Sequence, residues 1–126
     1  MKRKKILVID DEKGFTSMLQ LNLEAAKGYQ VKVENEPLRA VSTALQFKPD
    51  VILLDIIMPQ KGGPDVAVDI RSEAPLKDIP IIFLTATVSG EELEEKQNLV
   101  QGHAFVAKPS NLQQLIASIE EHVASA

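Results

Sequence analysis

The sequence predicts a doubly wound α/β fold, in which five parallel strands alternate with five helices that cover both faces of the sheet. Residues 51–54 and 79–84 form two apolar runs, which are typical of central strands buried on both faces. Segments with apolar residues at helical spacing separate the predicted strands. All five strands then end at one edge of the sheet, and ligands bind at that edge in open α/β sheets.

The composition predicts one domain, residues 1–126, with a core from about residue 5 to residue 123, because 44% of the 126 residues are hydrophobic. Cysteine is absent, which excludes disulfides, thiol catalysis and zinc-thiolate sites. The net charge of −4 argues against nucleic-acid binding as the main role. The only apolar run near the N-terminus is too short for a secretory signal, so we expect a cytoplasmic protein without membrane insertion.

The first predicted strand, residues 5–9, is apolar after its lysine and runs into three acids in a row. The following helix has its apolar residues at helical spacing, and Gly28 is placed to cap its C-terminus. These apolar residues are Phe15, Leu19, Leu23 and Ala26. Val31 and Val33 then alternate with polar neighbours, which predicts a short second strand near an edge of the sheet.

Prolines set the limits of the next helices. Pro37 suits the first turn of a second helix over residues 38–47, which Pro49 prevents from continuing. The third strand is residues 51–55. Pro64 with Asp65 opens a third helix, whose expected apolar residues are Val66, Val68 and Ile70.

The fourth predicted strand, residues 79–85, ends at a threonine. A capping box at residues 89–92 begins a fourth helix, which ends at Gly102. The fifth strand, residues 104–107, is followed by Lys108. A second capping box, at residues 110–113, begins the last helix. The apolar stripe of that helix comprises Leu112, Leu115, Ile116, Ile119 and Val123.

Four of the five strand ends therefore carry reactive side chains. Packing of a core would not by itself favour such residues directly after four of the strands. They are Asp10, Asp11, Asp55, Thr85 and Lys108. An Asp carboxylate can attack phosphorus to form an acyl phosphate. Mg²⁺ suits such a site because it binds carboxylates together with phosphate oxygens. A lysine and a threonine can contact the remaining phosphate oxygens.

Four motifs in this arrangement resemble the receiver domain of two-component response regulators, from residue 5 to about residue 123. They are Val-Ile-Asp-Asp-Glu at residues 8–12, Leu-Asp-Ile-Ile-Met-Pro at residues 54–59 with Gly63 beyond, Leu-Thr-Ala at residues 84–86, and Phe-Val-Ala-Lys-Pro at residues 105–109. The resemblance implies a flavodoxin-like three-layer sandwich with strand order 2-1-3-4-5. Ser110 departs from the aromatic residue that often follows Lys-Pro in this family.

The same resemblance implies the roles of the site residues. Asp55 would be the phosphoacceptor. Asp10, Asp11 and Asp55, with the backbone carbonyl of Ile57, would hold Mg²⁺, and Asp10 would act through water. Lys108 would stabilise the transferred charge. No organic cofactor is expected, and the only reaction catalysed would be the phosphorylation and dephosphorylation of Asp55.

The resemblance also implies partners and a switch. A sensor histidine kinase or a phosphotransfer protein would supply the phosphoryl group, as in a phosphorelay. Thr85 and Phe105 would form the switch. The fourth helix, the fifth strand and the fifth helix would then present a changed surface to a downstream protein or effector domain, without nucleic-acid contact by this domain.

Three other interpretations stay open at this point. A degenerate pseudo-receiver would act only as a protein-interaction module, although all four reactive strand ends are retained. A phosphatase of the haloacid-dehalogenase kind would carry a second acid two residues beyond its nucleophile, where this chain has Ile57. A flavodoxin-like binder would need a phosphate loop in place of residues 10–12, which repel an anion in the absence of a metal.

Overall fold

The computed structural model describes residues 3–85, 104–107 and 112–124. They form one parallel sheet in the order β2-β1-β3-β4-β5, so the predicted α/β class and strand order are observed. The strands are β1 Lys5–Ile9, β2 Gln30–Glu34, β3 Val51–Asp55, β4 Ile81–Thr85 and β5 Ala104–Ala107. The α-helices of the described ranges are α1 Lys13–Lys27, α2 Ala40–Phe47, α3 Gly63–Arg71 and α4 Leu112–Ala124.

Five helices were predicted, and the described part of the chain contains four α-helices. The predicted helix between residues 89 and 102 lies outside the described residues, and α4 corresponds to the last predicted helix. No helix among the described residues combines the length and the hydropathy needed to cross a membrane.

Two apolar clusters lie on opposite faces of the sheet, as the alternation of side chains along each strand requires. Leu7 and Ile9 of β1 face the cluster that contains buried residues of α2 and α3. Ile6 and Val8, from the same strand, face the cluster that contains buried residues of α1 and α4. The sheet is thus the middle of three layers, with both of its faces covered.

The ends of two elements differ from the sequence prediction. β4 begins at Ile81 rather than Ile79. Pro80 has no N–H to donate to a neighbouring strand, although its carbonyl accepts from the N–H of Ile52 at 2.9 Å. The second helix begins as a 3₁₀ turn over Pro37–Arg39 and becomes α-helical only from Ala40.

Two residues expected in the core are exposed. Val68 is 66% exposed, and Ala26 also faces solvent. The buried residues of α3 are Gly63, Val66, Ala67 and Ile70, so the buried face follows the three- and four-residue spacing of a helix, which Val68 does not fit. The predicted cap at the end of α1 is confirmed, since Gly28 has φ 65° and its N–H donates to the carbonyl of Glu24 at 2.9 Å.

Candidate functional site

Three carboxylates meet at the carboxyl edge of the sheet. Asp10 follows β1 and Asp55 ends β3, and these strands are neighbours with Ile9 paired to Leu54. Oxygens of Asp10, Asp11 and Asp55 lie within 4.8 Å of one another. Asp10 is fully buried, Asp55 is 5% exposed, and Asp11 is half-buried. Such a set of oxygen donors fits a hard divalent cation, which would offset the repulsion between three negative charges at this separation.

The turn that carries two of these acids is held by two hydrogen bonds from backbone N–H groups. The N–H of Glu12 donates to Oδ1 of Asp10 at 2.9 Å, and the N–H of Asp10 donates to the carbonyl of Glu34 at 3.1 Å. The first of these bonds is an Asx-type turn, in which an Asp side chain accepts from the backbone two residues later. These bonds, made by the residues on either side of Asp11, therefore constrain the backbone that carries it.

The end of β3 is held by the start of α3. The N–H of Gly63 donates to the carbonyl of Ile56 at 2.8 Å, and the N–H of Ile56 donates to the carbonyl of Leu84 at 3.1 Å. A Cβ atom at position 63 would overlap the carbonyl oxygen of Asp55 and would lie 2.9 Å from Cα of Ile56. Glycine is required there because the two backbones come so close, whereas the sequence indicated Gly63 only as part of a motif.

Thr85 lies at the same edge as the acids. It ends β4, whose register pairs Leu84 with Asp55, and it is 1% exposed. Thr85 in turn pairs with Ala107 of β5. Lys108 is the next residue in the chain, but it lies outside the described residues, as does the side chain of Phe105.

The two residues after Asp55 differ sharply in exposure. Ile56 is 1% exposed and belongs to the apolar cluster beneath the site, whereas the side chain of Ile57 is 64% exposed. An exposed apolar residue beside buried carboxylates lies where solvent meets the site. Ile57 also stands two residues beyond Asp55, where the phosphatase interpretation requires an acid.

One residue that contacts the site is not among the site residues predicted from the sequence. Asn35 follows β2, and its Nδ2 donates to the backbone carbonyl of Asp10 at 2.7 Å and to Oγ1 of Thr16 at 3.0 Å. The signal was present, because Asn35 is a polar residue directly after a strand and β2 pairs with β1 up to Glu34 and Ile9. The strand order implied by the resemblance places β2 beside β1, but the sequence did not show that the side chain of Asn35 reaches the backbone of Asp10.

A model of the response regulator receiver domain family matches residues 6–120 of the chain. The chain belongs to this family. Receiver domains act in two-component signalling, and phosphorylation of an aspartate and Mg²⁺ binding are typical of them. The three carboxylates found here agree with that property of the family.

Similarity to individual proteins supports the assignment of the chain to the receiver domain family. The chain is 30% identical over 120 residues to the DNA-binding dual master transcriptional regulator RpaA of Synechocystis, and the match covers 91% of this chain and 47% of that protein. The chain thus spans about half the length of that curated relative.

Two solved structures are similar to the receiver domain along nearly their whole length. The chemotaxis protein CheY4 of Vibrio cholerae has a TM-score of 0.83 and 27% identity, and the match covers 95% of this chain and 98% of that one. A response regulator from Chloroflexus aurantiacus, described as putative, has a TM-score of 0.85 and 25% identity, with 98% and 99% of the two chains covered.

Proposed function

We propose that this receiver domain takes a phosphoryl group onto Asp55 from the phosphohistidine of a histidine kinase or phosphotransfer protein. The observation that carries the proposal is the meeting of three carboxylates within 4.8 Å at one edge of the sheet. Asp55 is the last residue of a strand buried along its whole length. A nucleophile on a rigid strand end, beside acids suited to a cation, favours phosphoryl transfer over simple binding.

In the proposed reaction a carboxylate oxygen of Asp55 attacks phosphorus and the bond from phosphorus to the imidazole nitrogen breaks. The products are an acyl phosphate on Asp55 and a free histidine on the partner, and the bonding electrons leave with the imidazole. The domain catalyses only this step and the later hydrolysis of its own acyl phosphate. The partner supplies the phosphoryl group.

Asp11 and Asp55 would hold Mg²⁺ directly, Asp10 would act through water, and the carbonyl of Ile57 would complete the protein's share of the ligands. When bound, Mg²⁺ neutralises charge on the phosphoryl oxygens and on the acids. Lys108, the next residue after β5 in the sequence, would pair with a phosphoryl oxygen. Thr85 would donate its hydroxyl to another.

Intact mass spectrometry tests the proposal. We expect the wild type, incubated with a small phosphodonor and Mg²⁺, to gain the mass of one phosphoryl group, and Asp55→Asn to gain nothing because its amide is not a nucleophile at phosphorus. Asp50→Asn is the matched control, since Asp50 is an exposed acid just before the same strand. A wild type that takes no phosphoryl group would instead support the pseudo-receiver, a domain that acts only through protein interactions.

The proposed output of the domain is a changed protein-binding face made by the segment around residues 89–102, β5 and α4. Drawing the hydroxyl of Thr85 toward the phosphoryl group would leave space that Phe105 can fill. A downstream protein or effector domain would bind the altered surface.

Amide chemical shifts of the wild type with and without a phosphoryl mimic test this switch. We expect perturbations across residues 86–122, because the segments after Thr85 would transmit the change. Asp55→Asn, treated in the same way, should show none of them. Perturbations confined to α1 and the neighbourhood of Asp55 would contradict the switch but not the phosphorylation.

A further inference from the structure

Asn35, the residue directly after β2, contacts the turn that carries Asp10 and Asp11. Its Nδ2 carries two hydrogens, and it has two acceptors, the carbonyl of Asp10 at 2.7 Å and Oγ1 of Thr16 at 3.0 Å. Oγ1 of Thr16 donates its own hydrogen to the carbonyl of Lys13 at 3.1 Å, so it can act as an acceptor toward Asn35. Both hydrogens of the amide are thereby used.

These two bonds join the parts of the chain that precede and follow the acid turn. Asp10 begins the turn, and Thr16, which is 1% exposed, lies in the first part of α1. Asp11 lies between them, and Asp11 is one of the three carboxylates. One side chain, directly after β2, thus bonds to both ends of the segment that presents Asp11 to the site.

The start of α1 is held by backbone hydrogen bonds, among them that from the N–H of Thr16 to the carbonyl of Glu12 at 3.0 Å, rather than by a side-chain cap. Glu12 is its N-cap residue and makes no side-chain capping bond. A helix start without a side-chain cap is less firmly defined than one with a cap, because several of its first N–H groups have no partner within the helix. The hydrogen bond from Asn35 to Thr16 adds a contact to this turn from outside the helix.

We propose that Asn35 is a positioning residue, which holds the Asp10–Asp11 turn in the geometry that binds the divalent cation. The inference rests on the proposed function, since it concerns the same acids. It extends that function by a residue outside all four family motifs. A ligand that is held in place loses less conformational freedom on binding the cation, and groups that orient metal ligands commonly affect affinity.

The alternative is that Asn35 only braces the fold. A brace would lower the melting temperature when removed and would leave the affinity for Mg²⁺ unchanged. Thr43 offers a matched control, because its Oγ1 donates to Oε1 of Glu34 at 2.6 Å within the same β2–α2 region. That bond touches neither Asp10 nor Thr16.

Calorimetric titration with Mg²⁺ alone, together with melting temperatures in a chelator, separates the two roles. We expect Asn35→Ala to weaken Mg²⁺ binding about tenfold, in the range found for groups that orient metal ligands. Asn35→Ser should behave alike, since its shorter side chain cannot reach both acceptors, and it provides a second variant if the alanine variant folds poorly. Thr43→Val should melt at a lower temperature and bind Mg²⁺ as the wild type does.

Wild-type affinity in both Asn35 variants would overturn the positioning role and leave the proposed function intact. An equal loss of affinity in Thr43→Val would also overturn it, because general loosening of the region would then explain the result. A wild type that binds no Mg²⁺ would overturn the metal site of the proposed function, and the positioning role with it.

Discussion

Gly63→Ala is expected to destabilise the domain by about 3 kcal/mol or more, which is large for the addition of one methyl group. The new Cβ would overlap the carbonyl oxygen of Asp55 and would lie 2.9 Å from Cα of Ile56 and 3.0 Å from the carbonyl carbon of Asp55. All three atoms are backbone, so no side chain can rotate to make room. Either α3 or the end of β3 must move.

Thermal unfolding measures the effect, and for a domain of this size the loss corresponds to a fall in melting temperature of roughly 10 °C. Gly62→Ala is the matched control. A Cβ at position 62 would lie 3.6 Å from the carbonyl oxygen of Ile56, an ordinary contact, and Gly62 has φ −71°, which alanine adopts without strain. Equal melting temperatures for the two variants would show that α3 does not press on Asp55 as described.

Mg²⁺ is expected to raise the melting temperature of the wild type and to have no such effect on Asp11→Ala. A ligand that binds only the folded state stabilises it by about 1.4 kcal/mol at ten times Kd and by about 2.7 kcal/mol at a hundred times Kd. The physical source is the relief of repulsion among carboxylates whose oxygens lie within 4.8 Å of one another. Asp11→Ala removes one ligand and one of the three charges.

Asp50→Ala is the control for a general effect of charge, because Asp50 lies at the other end of β3, where one of its carboxylate oxygens accepts from the N–H of Lys5 at 2.8 Å. This variant should keep the full response to Mg²⁺. Without Mg²⁺, Asp11→Ala should melt no lower than the wild type, since it has less repulsion. An unchanged melting temperature of the wild type across millimolar Mg²⁺ would argue against the site.

The sequence predicted most reliably where a local pattern has one structural solution. β3 was placed correctly at residues 51–55, because an apolar run between prolines that is buried on both faces fits a central parallel strand. Gly28 was placed correctly as a cap, because its left-handed conformation is cheap only for glycine. Asp10, Asp55 and Thr85 were assigned to one edge of the sheet because parallel strands all end on the same side.

The sequence was less informative where several neighbours decide the outcome. The spacing of Val66, Val68 and Ile70 does not predict which side of α3 faces the sheet. In the structure Val66 and Ile70 are buried and Val68 is exposed. The start of β4 moved to Ile81 because pairing with β3 decides where a strand begins.

By itself, then, the sequence determined the parallel α/β class, the strand-end residues and the family, since each depends on local pattern and on the common direction of the strands. Only the tertiary structure decided the distances between carboxylates, the contact of Gly63 with Asp55 and the bond from Asn35 to Asp10. Asn35 and Asp10 are 25 residues apart, and they meet because β2 pairs with β1. That pairing is set by the burial of whole strands and helices against one another, which no single segment encodes.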